Sequence, residues 1–208
     1  MLRILGRTSS INVRKVLWTL DEIGLIYEHE PQWATPAASS RSAEFLALNP
    51  NGKVPVIEDE NGLLWESNTI CRYLARMNGR DDLLPSDPAA QARVEMWMDW
   101  QATELNGSWR YAFMALARRD PAFADPAQIE AGRRHWNATM DILEQRLTGT
   151  DAYVAGSSFT LADIVIGLSV HRWRATPMER PALPAVDAYM ARLDARPAFG
   201  PYARQDVP

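Results

Sequence analysis

Residues 48–67, LNPNGKVPVIEDENGLLWES, decide how this chain is read. Asn49–Pro50 ends the short helical pattern SAEFLAL that precedes it, because the residue before a proline disfavours the helical region. KVPVIED and GLLWES then form two strand patterns around Asn61–Gly62, a strong hairpin signal. Pro55 interrupts the first of them, where a strand does not tolerate a lost N–H. A proline at a strand start, on a sheet edge, or after a cis bond resolves the conflict. A cis Val54–Pro55 bond would also turn the Val54 backbone outward, free to pair with a ligand's backbone.

Upstream of this stretch, LRILG (2–6) reads as a strand. In NVRKVLWTLDEIG (12–24), Val13, Val16, Leu17, Leu20 and Ile23 share one helical face, and Gly24 suits a helix end. IYEHEPQ (26–32) is a second strand and WATPAASS (33–40) a loop. Downstream, SNTICRYLARMNG (67–79) is an amphipathic helix that we expect Ser67 to cap and Gly79 to end. The first 80 residues thus read β-α-β-α-β-β-α.

RDDLLPSDPAA (80–90), rich in Asp and Pro, reads as a linker over 81–88. From 89 to 208 the pattern is helical throughout. Residues 89–119 form one long helical pattern with Gly107 as a possible bend. Further helices are expected over 126–149, 159–175 and 183–199. FTLADI (159–164) places Thr160 at a helix N-cap with Asp163 three residues on, a capping box. Phe159 and Ile164 complete a hydrophobic staple. The expected fold class is an α/β domain (1–80) followed by an all-α domain (89–208).

The chain has 208 residues, 47% hydrophobic and 23% charged, with a net charge of −4. An acidic balance, with a pI near 5.4, excludes nucleic acid as the main partner, since phosphate binding wants a basic face. No apolar run is long enough to span a bilayer, and the N-terminus does not resemble a signal peptide; a soluble cytoplasmic protein is expected. The single cysteine, Cys71, lies among apolar residues at helical spacing and reads as a buried core thiol. His29, His135 and His171 show no ligand spacing, and no metal is expected. The only lysines are Lys15 and Lys53.

Four stretches, SINVRKVLW (10–18), LNPNGKVPVIED (48–59), ESNTICRYL (66–74) and FTLADI, occur in the order seen in cytosolic glutathione S-transferases. The chain resembles that family over nearly its whole length. The resemblance implies a thioredoxin-like N-terminal domain, an all-α C-terminal domain, a cis proline at Pro55 and, as in most members, a homodimer. It also implies glutathione as co-substrate. Val54 would pair through its backbone with the cysteinyl part, and Glu66 and Ser67 would hold the γ-glutamyl end. Lys53 and, from the loop, Arg41 would meet a carboxylate. The physics agrees at Ser67, because a helix start favours a carboxylate.

Catalysis in this family holds the glutathione sulfur as a thiolate. A free thiol titrates near 8.5, so lowering it by about two units takes roughly 2.7 kcal/mol. One hydrogen bond to a charged acceptor supplies about 1.5–3 kcal/mol, and a helix N-terminus about 0.3–1 kcal/mol more. One hydroxyl at the start of a helix therefore suffices. Ser10 fits best, in the S-x-N-V pattern of serine-type members. Ser9 is reached by a one-residue shift, and Asn12 by the amide that some bacterial relatives use. No cysteine or tyrosine stands in this turn, which weighs against the thiol-transferase and tyrosine-type branches.

A pocket for a small hydrophobic electrophile is expected between the domains. Its candidates on the long helix are Trp109, Arg110, Phe113 and Met114, although for any single aromatic the helix-bundle core is the plainer role. Arg172 either points to this pocket or makes a structural pair, and Trp97 and Trp100 are candidates for a dimer contact. Three functions fit: glutathione transfer to electrophiles, glutathione-dependent disulfide or peroxide reduction, and non-catalytic binding on the same fold.

Overall fold

The computed structural model describes residues 1–203; the last five residues of the expected helical domain, 204–208, lie outside the described residues. Four strands form one sheet: β1 (Leu2–Leu5), β2 (Tyr27–Glu30), β3 (Val56–Asp59) and β4 (Gly62–Trp65). Their order is β2-β1-β3-β4, with β1 parallel to β2 and antiparallel to β3, and β4 antiparallel to β3. Helices α1 (Ile11–Ile23), α2 (Ala43–Leu48) and α3 (Ser67–Met77) complete the expected thioredoxin-like order. The hairpin turns on Glu60–Asn61, and Gly62 already pairs with Asp59.

The rest is helical: α4 (Pro88–Trp100), α5 (Asn106–Leu116), α6 (Pro126–Thr150), α7 (Leu161–Ala175), α8 (Pro184–Asp194) and the short α9 (Gly200–Ala203). The long pattern over 89–119 does not bend at Gly107, which lies inside α5. The irregularity sits one turn earlier, where Gln101–Leu105 widen into a π-helical segment. Such segments recur at functional sites. Among the described residues no helix is long and apolar enough to cross a membrane.

A single core joins both halves. Helix α1 buries Val13, Val16, Leu17 and Leu20 and also Trp18 on its other side, because it is packed between α3 and α7. Residues Leu161–Val170 of α7 are all buried, as expected of a helix that is apolar around its circumference and central to the bundle. Gly167 permits the approach: a Cβ there would lie 2.5 Å from Leu193 Cδ1 and 3.5 Å from the Trp18 ring. The expected linker is anchored too, with Leu83 and Leu84 in the core and the Leu83 carbonyl accepting from the Leu161 N–H. The C-terminal segment closes over α1 through Arg196 with Glu22 and the Tyr202 hydroxyl with Asp21.

Asp163 caps α7 by accepting from the Thr160 N–H (2.8 Å) and hydroxyl (3.2 Å). It also accepts from the Val154 N–H and the Tyr189 hydroxyl. Burial raises its carboxyl to about 6, against the pull of these donors. Every neighbour is structural, so Asp163 is an anchor of the bundle. Cys71 is likewise inert: it is buried, accepts from the Thr19 hydroxyl, and burial pushes its thiol up to about 11.

Candidate functional site

The turn between β1 and α1 carries the candidate thiol-activating groups. The Ser10 N–H donates to the Arg7 carbonyl (3.0 Å) and its carbonyl accepts from the Arg14 N–H (3.0 Å), which fixes Ser10 as the N-cap of α1. Its hydroxyl makes no cap hydrogen bond, so it is available to another acceptor. Ser9 is exposed, whereas Ser10 and Asn12 are half-buried. Arg14, buried within α1, donates to the Thr8 carbonyl (2.8 Å) and the Tyr202 carbonyl (3.0 Å). That cation pins the backbone of the turn.

Facing the turn is the loop before β3, and the Val54–Pro55 bond is cis. The approach is close because Gly6, at φ +146°, has no side chain: a Cβ there would stand 2.6 Å from Val13 and 2.8 Å from Val54. Asn49 holds the loop from within. Its amide donates to the Lys53 carbonyl (2.7 Å) and its carbonyl accepts from the Asn51 N–H (3.0 Å). Sequence reasoning treated Asn49 only as a helix stop; the signal was the short polar span to Lys53, which an Asx turn suits. Arg41 is exposed and rests on Gly52, its guanidinium 3.2 Å from where a Cβ would stand.

Ser67 does not cap α3; it is the first helical residue, and Glu66 holds the cap position at φ +74°. A non-glycine residue in that region is strained, and such residues cluster at ligand sites. The twist leaves the Glu66 side chain exposed and buries Ser67 at the helix start, where unpaired N–H groups favour an anion. Asn12, Asn49, Lys53, Val54, Pro55, Glu66 and Ser67 line one cleft enclosing about 40 Å³. Ser9, Ser10 and Arg41 lie outside that lining.

The residues expected to receive a second substrate lie on α5, outside the lining of that cleft, and pack with α7. Trp109 and Phe113 meet edge to face, 5.2 Å between ring centres. The Arg172 guanidinium lies over both, 4.3 Å from Trp109 and 4.6 Å from Phe113. Arg118 covers Phe113 at 5.2 Å. Met114 is partly buried against the same core. Arg110 is exposed and has no hydrogen bond or ion pair among the described residues; the arginine that spans both rings is Arg172, with Arg118 over Phe113 alone. Burial, then the neighbouring charges of Arg118 and Arg14, push Arg172 down to about 9, so it stays charged at neutral pH. Trp97 is buried within the chain and packs edge to face on Trp100, which removes it from the candidates for a dimer contact.

A partly buried polar chain runs from α1 and α3 to α5. The Lys15 ammonium donates to Gln101 (2.7 Å) and Asn68 (3.2 Å). Gln101 donates to the Asn106 carbonyl oxygen (3.1 Å), which also takes the Trp109 indole N–H (2.8 Å). Burial pushes Lys15 down to about 7, opposed by Cys71 and Glu66 and assisted by Arg172.

A thioredoxin-like sheet ending in a cis-proline loop, with a helix start on either side and a helical bundle behind it, defines a class of thiol- and peptide-binding proteins. Comparison with known families and proteins narrows it. Residues 9–77 match the glutathione S-transferase N-terminal domain and residues 126–192 the glutathione S-transferase C-terminal domain. The chain is 34% identical to glutathione S-transferase GstB of Escherichia coli over 200 residues, 95% of each chain. It is 34% identical to glutathione S-transferase 3 of Zea mays, covering 95% of this chain and 91% of that one. A theta-class glutathione S-transferase from Xanthomonas axonopodis pv. citri, solved with glutathione bound, superposes with a TM-score of 0.92 at 34% identity, covering 100% and 99% of the two chains. The chain belongs to the cytosolic glutathione S-transferase family and is an enzyme of that family.

Proposed function

We propose that this enzyme binds glutathione across the β3 loop and the start of α3, and activates its thiol as a thiolate for attack on small hydrophobic electrophiles. The observation that carries the reading is the convergence of Asn12, Lys53, Val54, Pro55, Glu66 and Ser67 on one cleft. The cleft is too small to enclose a tripeptide, so the ligand lies along its mouth. There Val54 offers backbone N–H and C=O to the cysteinyl residue. The α3 start and the Ser67 hydroxyl take the γ-glutamyl carboxylate, and the Glu66 carboxylate accepts from the α-ammonium. Lys53, with Arg41 behind it, faces the remaining carboxylate.

Ser10 donates its hydroxyl to the sulfur, lowering the thiol pKa so that the proton leaves to solvent. The α1 dipole and the cations Arg7 and Arg14 favour the same anion. Asn12 supports a second reading, because its amide lies in the cleft lining and is free of hydrogen bonds among the described residues. Ser9, being exposed, is the weakest of the three. The expected homodimer is supported by apolar residues left exposed on β4, α3 and α4, namely Leu63, Trp65, Met77 and Met96.

Retention on immobilised glutathione, followed by turnover of a chlorodinitro-aromatic and of a small disulfide, tests the proposal. Retention with conjugation supports it. Turnover of the disulfide alone makes the protein a reductase, and neither retention nor turnover leaves a binding protein of another ligand.

A further inference from the structure

Helix α1 carries a buried ammonium that the thiol chemistry does not use. Lys15 is 1% exposed and donates to two neutral amides, Asn68 Oδ1 and Gln101 Oε1. Among the described residues no carboxylate pairs with it. Of the ionisable groups that act on it, Cys71 and Glu66 on α3 and Arg172 on α7, none is a hydrogen-bond partner, so the two amides set its place. A cation buried without a carboxylate destabilises the fold, and an apolar side chain of that length would not. What the ammonium does that a methyl group cannot is hold two amide oxygens at once.

Each amide lies beside a point where the backbone is irregular. Gln101 is fully buried and opens the π segment. Asn68 is the second residue of α3, directly after Ser67. Its side-chain amide also donates to the Met98 carbonyl of α4 (2.8 Å). Asn68 is therefore clamped from two sides, by α1 and by α4. Just before Ser67, Glu66 stands at φ +74°, a conformation that persists only where the surroundings over-determine it. On the strand side the anchor is the pairing of Trp65 with Val56. On the helix side it is the clamp on Asn68. Ser67 lies between the strained residue and the clamped one, so the direction of its N–H and hydroxyl depends on both.

Resting on the transferase reading, we propose that Lys15 is a positioning residue for the glutathione site: its ammonium, through Asn68, holds the start of α3 at the angle that receives the γ-glutamyl carboxylate. Lys15 is outside the lining of the cleft. Its action therefore falls on glutathione affinity and not on the chemical step.

The test measures binding of S-methylglutathione, which has no thiol to ionise, and steady-state kinetics with 1-chloro-2,4-dinitrobenzene. Lys15→Met should raise both the Kd of S-methylglutathione and KM for glutathione about tenfold, the equivalent of one hydrogen bond from a charged donor. The value of kcat and KM for the electrophile should stay at the parental level. Asn68→Ala should do the same, and it should fold, because the Met98 carbonyl keeps the Gln101 N–H as donor. The double variant should bind no more weakly than the weaker single one, since both act through one clamp. A packing role alone would shift the melting temperature and leave KM for glutathione in place. An unchanged KM for glutathione in both single variants overturns the proposal, as do losses that multiply in the double variant. Should Lys15→Met not fold, Asn68→Ala decides alone by the same measure. In each of these cases a parent that is retained on glutathione and turns over the electrophile leaves the transferase reading standing. A parent that does neither ends that reading and the proposal with it.

Discussion

The cleft before β3 and the aromatic cluster on α5 are built by different means. The cleft before β3 is mostly backbone: a cis-proline loop, a helix start, and an Asx turn at Asn49, all within residues 49–67. The aromatic cluster is side chains gathered from distant elements: Trp109 and Phe113 from α5, Arg118 beyond it and Arg172 from α7. A site built of backbone tolerates little variation in shape. A cluster of side chains on rigid helices can change its shape one residue at a time. That division suits an enzyme with one fixed co-substrate and one variable one.

The largest effect should come from closing the gap between the end of β1 and the β3 loop. Gly6→Val places a branched side chain where even a Cβ would stand 2.6–2.8 Å from Val13 and Val54. Overpacking of this kind costs roughly 1–3 kcal/mol, and the positive φ adds to it. For a chain of this size we expect the melting temperature to fall by roughly 6–12 °C, with loss of retention on glutathione. A variant that melts within 2 °C of the parent would show that the loop does not press on β1 as described.

Next comes the thiol donor. Ser10→Ala should lower kcat/KM by about 10–150-fold, the equivalent of one hydrogen bond to a charged acceptor. The thiolate absorbance of the glutathione complex should weaken. Stability should hold, because the hydroxyl makes no cap bond to lose. If Asn12→Ala has that effect and Ser10→Ala does not, the amide is the donor.

The contrast between the two regions also explains what the sequence disclosed. The hairpin and the site-forming loop were legible because each is a local contract between neighbours, with Asn61 in the turn, Gly62 opening the next strand and Asn49-Pro50 stopping the helix before the loop; the cis bond at Pro55 was implied by the family resemblance, since the residues alone left a strand start or a sheet edge open. The capping box at Thr160–Asp163 was legible for the same reason. Two local readings needed correction: the N-cap of α3 fell on Glu66, not Ser67, since strain at φ +74° leaves no mark in residue type. The irregularity expected at Gly107 lies instead in the π segment at 101–105, whose first residue, Gln101, is buried and accepts from Lys15. The stacking of Arg172 on Trp109 and Phe113 was invisible because α7 and α5 are far apart in sequence and meet only when the bundle packs. Arg110, closer to the aromatic motif in sequence, drew attention instead.

Lys15 lies between the two regions and offers a pH probe of their connection. Its folded pKa is near 7, against an ordinary value near 10.4 in the unfolded chain. Below pH 7 both states hold the proton and the folded protein bears the full cost of a buried charge. As pH rises from 7 toward 10, the folded protein gives up its proton first, so stability rises relative to a chain without this group. Urea unfolding of the parent and Lys15→Met should therefore diverge, the parent gaining on the order of 2 kcal/mol between pH 7 and 9. Parallel stability curves would mean that Asn68 and Gln101 keep the ammonium charged.

The smallest expected effect falls on the far end of that chain of hydrogen bonds. Trp109→Phe keeps a ring beside Phe113 and beneath Arg172 but removes the indole N–H that Asn106 accepts. Asn106 retains the donor from Gln101, so no buried acceptor is stranded and the fold should hold. The ring gains freedom to tilt, at a cost of one ordinary hydrogen bond, about 0.5–1.5 kcal/mol. Spread over binding and orientation, that is a 2–12-fold fall in kcat/KM for an aromatic electrophile. Because Trp109 lies outside the lining of the proposed glutathione cleft, KM for glutathione should stay at the parental value. A matching rise in both KM values would mean that the two regions are not separable and that Lys15, Gln101 and Asn106 transmit ring position to the loop at Val54.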